Sequence, residues 1–279
     1  MKYQLISGRK FNKALSRYRL EELQSIEFTY EVAPKGVELT DLSNDRDGSV
    51  VGWQEDGVYK VSTQVEGQEI IFNEDCKKMF ADFLELKEID FSMIDTTHVT
   101  DMSEMFADCV RLRALYLYTF DTSNVTDMTR MFAGCRSLTR LHLYGFDTSN
   151  VTDMKYMLFD CSSLEHPDLS HLDTSIVTNM SHMFQGCYRL TNLDLSHFDT
   201  SKVTNMSDMF CGCNNIVYVD LSGFDTSNVT DMSGMFAWCY DLKKIDISYF
   251  NTSKVKTMTW MFCGCRALKI PNFVSNRDN

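Results

Sequence analysis

Proline is scarce in this chain, three residues in 279, and no apolar run approaches the roughly 20 residues of a membrane-spanning helix. A surplus of positive charge is missing as well. The net charge of −12 argues against general nucleic-acid binding, which needs a basic footprint to displace counterions. No nucleophile elbow, phosphate-binding loop or zinc-protease motif occurs. The six histidines, His98, His142, His166, His171, His182 and His197, fall at unrelated positions. These absences point away from an enzyme and from any cofactor or resident metal. The first 20 residues carry six cations and no acid, yet their longest apolar run is "LI", too short for a secretory leader. Their composition is also that of a transit peptide. The simpler reading is a terminal helix around residues 11–23, with Ala14, Leu15, Tyr18 and Leu23 facing inward. No lipid-anchor or sorting motif stands at the C-terminus.

What is present is repetition. "FDTSNVTDM" occurs verbatim from Phe120, Phe146 and Phe224, with near-copies between. The register extends over a 26-residue unit, and seven units begin at Ile94, Phe120, Phe146, Leu172, Phe198, Phe224 and Phe250. A decayed unit precedes them, with Met79, Phe80, Leu86, Ile89 and Phe91 in register. A fixed period of this length implies a solenoid, in which each unit leans on its neighbours to bury an apolar face. Within a unit, Val125, Met128, Met131, Phe132 and Cys135 follow three- and four-residue steps, which predict a short helix. Leu141 and Leu143 then alternate with Arg140, His142 and Tyr144, as in a strand with one wet face. Asp, Thr and Ser before the helix suit an N-terminal cap, and Gly134 suits a left-handed terminus. The expected fold is an α/β coil stack with a parallel sheet on one face, short helices on the other and an N-terminal α+β cap. The cap covers residues 1–70, the repeats 71–273 and a polar tail 274–279.

The unit "FDTSNVTDMSGMFAWCYDLKKIDIS" resembles the repeat of BspA-like leucine-rich-repeat proteins of bacterial cell surfaces. The lead-in, with its Asp-Gly-Ser-Val and Trp before the first Met-Phe, is similar too, so the resemblance covers about residues 40–273. It implies a right-handed leucine-rich-repeat-like solenoid used in adhesion or protein recognition, at the cell surface or secreted. The want of an evident export signal suggests the cytoplasm instead.

Seven of the ten cysteines, from Cys109 to Cys265 in steps of 26, occupy one repeat position, so they are one structural choice copied seven times. A reduced ladder in a tight interior fits them. Cys211 and Cys263 form C-G-C runs two units apart, too far for joint metal ligation, and Cys76 precedes the ladder. Fourteen of 17 methionines fall at the two positions typified by Met128 and Met131 and read as core filling.

Function is expected at the variable, wet-facing strand positions. Tyr116, Tyr118, Arg140, His142 and Tyr144 gather in the early units and resemble interface anchors. Asp168, Asp194, Asp220 and Asp246 form an acidic column in the later ones. That column serves a basic partner or a cation such as calcium, or simply keeps the surface hydrated. Between them, Pro167 replaces the strand's usual aliphatic residue, removing a ladder donor, and a loosened sheet with a local bend is expected there. Pro271 at the last strand is expected to end the stack. Together these features favour a monomeric, non-enzymatic scaffold that binds a protein or other macromolecule through its strand face. Two alternatives stay open: an intracellular interaction protein (an effector or phage-encoded binder), and a cation- or glycan-binding surface module.

Overall fold

The structure, a computed structural model, describes residues 1–20 and 23–269. Pro271 and the polar tail lie outside the described residues. The basic start forms helix α1 (Gly8–Ala14) and then a 3-10 helix over Ser16–Leu20, in place of one helix around residues 11–23. Phe11, Leu15, Tyr18 and Leu23 are buried, while Ala14 is half-buried. Gly8 is where α1 meets the decayed repeat. Its N–H donates to the Asp75 carbonyl at 2.7 Å, and a Cβ there would stand 2.5 Å from the Cys76 carbonyl carbon. Any side chain would push the helix off the repeats.

Among the described residues the chain is mostly β. A mixed sheet combines β1 (Ser25–Thr29), β2 (Thr40–Asp41), β3 (Val51–Glu55) and β4 (Val58–Ser62) with a strand of the decayed repeat. The short strands that follow are β5 (Ile70–Ile71), β6 (Glu88–Asp90), β7 (Ile94–Asp95), β8 (Ala114–Tyr116) and β9 (Arg140–His142). In the five-stranded sheet the order is β2-β3-β4-β1-β6; β1 runs parallel to both β4 and β6, and β3 pairs antiparallel with β2 and β4. Two further parallel pairs are β5 with β7 and β8 with β9. Alternation sorts each strand: Ile26 and Phe28 of β1 are buried, while Ser25 and Glu27 lie toward solvent.

The repeats bond to one another one period apart. Parallel bridges link Asp75 to Asp101, Asp101 to Asp127, and so on through Asn179 and Asn205 to Asp231 and Thr257. Past each bridge, alternate N–H groups donate to the next repeat: Met102 to the Asp127 carbonyl, Glu104 to Thr129, Phe106 to Met131 and Asp108 to Ala133, at 2.7 to 3.0 Å. The intervening N–H groups turn back on their own repeat, Met105 to Met102, Ala107 to Glu104 and Cys109 to Phe106.

This pattern overturns the expected short helices: among the described residues no helix lies in the repeats. The run from Met128 to Cys135 is a chain of three-residue turns, with Arg130 and Gly134 at φ 57° and 74°. A left-handed residue at every fourth position forbids an α-helix. Each turn nevertheless delivers one side chain inward, so Val, Met, Phe and Cys still converge, and Val125, Met128, Met131, Phe132 and Cys135 are all fully buried. The phenylalanines stack ring on ring at about 5.4 to 5.7 Å, Phe80–Phe106–Phe132 and then Phe184–Phe210–Phe236–Phe262. Leu158 interrupts this column in the unit that also carries Pro167.

Nearly every residue of the nonapeptide has a backbone partner. Asp121 Oδ1 accepts the Ser123 N–H at 3.0 Å, the Thr122 hydroxyl donates to the Asp147 carbonyl at 2.9 Å, and Asn124 Nδ2 donates to the Thr97 carbonyl at 2.8 Å. The faithful copying of Asp, Thr and Asn follows, because each ties one repeat to itself or to a neighbour.

Candidate functional site

The wet face of β8 and β9 collects the five predicted anchors. The register sets Ala114 beside Arg140, Leu115 beside Leu141 and Tyr116 beside His142. Both leucines are buried, so alternation turns Tyr116, Arg140 and His142 outward. The Tyr116 and His142 rings stack with centroids 5.9 Å apart and planes 14° from parallel. Tyr144 meets His171 edge-on at 5.0 Å. Tyr118 and Tyr144 are the most exposed large hydrophobic side chains among the described residues, at 73% and 74%. Among the described residues, the sheet expected down this whole face forms paired strands at these two alone. Single bridges link His142 to Asp168 and Tyr218 to Lys244, and beside Pro167 the Thr191 N–H reaches the Glu165 carbonyl only at 3.4 Å.

The acidic column stands at the same repeat position as Tyr116 and His142. Asp168, Asp194, Asp220 and Asp246 are all exposed. Each turns back on its own chain: Oδ1 accepts the N–H of Ser170, Ser196, Ser222 and Ser248 respectively, at 3.0 to 3.1 Å. Hydrogen bonds from these serines hold all four carboxyls below the ordinary aspartate range. Asp90 and Ser92 of the decayed repeat make the same turn at 2.8 Å. The column is thus a series of turn caps, and among the described residues no three His, Cys, Asp or Glu side chains converge as a metal site would require. Among the described residues two units replace the Asp-x-Ser cap, with Tyr116-Leu-Tyr118 and His142-Leu-Tyr144.

Beside the tyrosines lies a groove of about 520 Å³ where the N-terminal sheet meets the first repeats. Tyr116, Tyr118 and Arg113 form one wall, and Glu27 of β1 with Glu88 and Asp90 of β6 form the other. Burial raises the Glu27 carboxyl, opposed by Lys60 across the strand pair. Lys60 is itself held by Glu31 at 2.6 Å and Glu55 at 3.2 Å. These acids escaped the sequence reading because Glu27 lies outside the repeat. The usable signal was Asp90, which shares its repeat position with Tyr116.

The cysteines behave as one column. Sγ of Cys109, Cys135, Cys161, Cys187, Cys213, Cys239 and Cys265 each donates to the carbonyl 29 residues earlier, at 2.9 to 3.2 Å. Burial raises all seven thiols above the ordinary cysteine range. All ten cysteines are free thiols, and Cys263 alone is exposed.

No curated protein and no solved structure matches the chain. One family does match, over residues 74–192 and again over 187–276, and these two spans hold every repeat from the decayed one onward. With the repeats matched from end to end, the chain belongs to the BspA-like repeat family described as "Mycoplasma protein of unknown function, DUF285".

Proposed function

We propose that the chain is a non-enzymatic recognition scaffold that binds a protein partner through the strand face, with Tyr116, Tyr118, Arg140, His142 and Tyr144 as the contact. In this reading the repeats form a right-handed, leucine-rich-repeat-like solenoid over residues 71–273, and residues 1–70 cap its first coil. The bond from Gly8 to Asp75 and the pairing of β1 with β6 support the cap. Adhesion at a bacterial surface is the use that the BspA-like resemblance suggests.

The observation that carries the reading is the exchange of caps. Asp-x-Ser satisfies a turn N–H at five of the described repeats, Asp90 and Asp168 through Asp246. Two adjacent repeats forgo it and present exposed aromatics instead, on the two repeats whose strands pair with each other. Giving up a turn cap costs about 1 kcal/mol, and the core gains nothing from a tyrosine that is three-quarters exposed. Tyrosine and arginine on a rigid sheet offer large contact area at small entropic cost. The cation reading of the aspartates loses its motive, since each carboxylate already holds its own turn.

The test is capture of a partner from the native cell by the intact chain and by a Tyr116→Ala/Tyr144→Ala variant. Loss of a specific partner at unchanged thermal stability supports the patch. Equal capture by both rejects it.

A further inference from the structure

A second column, away from the strand face, runs from Lys78 to Trp260 at 26-residue steps, with φ between 52° and 61° throughout. Left-handed backbone costs a non-glycine residue about 1 kcal/mol or more, yet only one member is glycine. Several of the others make contact from one rung to the next. Lys78 pairs with Glu104 at 3.0 Å, the Arg130 guanidinium lies 5.4 Å over the Tyr156 ring, and His182 stacks on Tyr156 at 4.2 Å. His182 then meets Asp208 at 3.7 Å.

At Gly234 the column loses its side chain, and a groove of about 300 Å³ opens between Asp208 and Trp260, with Trp238 at its side. Gly234, Ala237, Cys211 and Cys263 complete its lining. The Asp208 carboxylate leans over Gly234, where a Cβ would stand 2.1 Å from Oδ1, and the Trp238 ring lies against Gly264, where a Cβ would stand 2.5 Å from it. Two indoles and a carboxylate therefore surround one missing rung. Trp238 and Trp260 are 47% and 63% exposed.

The charge of the slot is unbalanced. Asp160, one column over, receives Arg136 Nε at 2.7 Å, whereas the cationic group within reach of Asp208 among the described residues is His182, charged only when protonated. Burial also raises the Asp208 carboxyl, as expected of an acid without a permanent counter-charge. Two guanidinium–aromatic stacks elsewhere show what fits such a rung: Arg130 over Tyr156, and Arg266 4.8 Å over Tyr240.

We infer that the slot at Gly234 takes the guanidinium of an arginine residue in a partner polypeptide, its N–H edge on Asp208 and its face on the indoles. Indole is the strongest cation–π acceptor among side chains, and guanidinium is flat, weakly hydrated and able to do both at once. A compact, strongly hydrated ammonium fits less well.

The test uses the full chain and acetyl-Gly-Arg-Gly-amide, followed by tryptophan fluorescence. Trp53 is buried, so Trp238 and Trp260 report. The arginine peptide should give a saturable change, the lysine peptide should bind several-fold more weakly, and the glutamine peptide should give none. Asp208→Asn should weaken arginine binding about tenfold. Gly234→Arg should abolish it, because the new side chain itself occupies the slot. Tyr116→Ala/Tyr144→Ala should leave it unchanged, which separates this slot from the strand-face patch. No saturable change with arginine, equal binding of the glutamine peptide, or full affinity in Asp208→Asn each overturns the proposal.

Discussion

The thiol of Cys135 donates to the carbonyl of Phe106 at 3.2 Å, so that each repeat fastens a sulfur to the backbone of the one before it. Fully buried, its thiol is pushed up to about 12 and carries no thiolate near neutrality. Cys135→Ala should destabilise the chain by about 1 to 2 kcal/mol through the lost bond and the void, measured by urea unfolding. In the native chain at pH 8, a thiol reagent should label Cys263 in one fast phase. Cys263→Ser should remove that phase; several equally fast thiols would contradict the buried ladder.

Restoring the missing caps should stabilise the fold at the expense of the patch. His142→Asp/Tyr144→Ser rebuilds Asp-x-Ser in the second repeat and should gain about 0.5 to 1 kcal/mol in urea. The measurement belongs at about 0.5 M salt, where repulsion from neighbouring Asp168 is screened. A loss of stability would mean that the aromatics serve the fold itself.

Acid should unfold the chain through these same turns. A carboxyl held below its unfolded value contributes stability that is present above the unfolded pKa and lost as pH falls through the folded one. Asp147, Asp168, Asp194, Asp199, Asp220, Asp225 and Asp246 are all lowered. Urea midpoints should therefore fall below about pH 4. Raised Glu27, Asp108 and Asp208 act in the opposite sense, their protonation favouring the folded state. Asparagine keeps the turn without the proton, as Asn251 does in accepting the Ser253 N–H at 3.0 Å. Asp194→Asn/Asp220→Asn should thus flatten the acid slope while costing little at pH 7.

Pro167→Leu should extend the ladder. The amides of residues 166, 168 and 192–194 should exchange hydrogen more slowly than in the parent chain, with residues 114–116 unchanged. Equal exchange in both proteins would place the break elsewhere, with Leu158 the next residue to restore.

The inward columns were legible because burial leaves a periodic mark whatever the backbone does. Val125, Met128, Phe132 and Cys135 read as core and are core. The helix did not survive, since a succession of three-residue turns with one inward residue each leaves the same three- and four-residue spacing. Arg130 looks like an ordinary helical surface residue, and its left-handed φ has no compositional signature. The exposure of Tyr116, Tyr144 and Asp194 followed from alternation with the leucines. Asp194 was nonetheless read as a free charge, although Ser196 two residues on was the visible sign of a turn cap. The acidic wall of the groove was out of reach, because the meeting of Glu27 with Asp90 is a long-range strand pairing.

Alternate amides handed forward to the following repeat also govern which insertions the chain tolerates. Duplicating or excising 26 residues leaves every donor opposite an acceptor, whereas a change of 25 or 27 puts each out of step. Length can therefore drift in whole units among relatives without rebuilding the interior. A tandem copy would lengthen the surface, but the paired aromatics at Tyr116 and His142 would remain a singular landmark among the acidic caps.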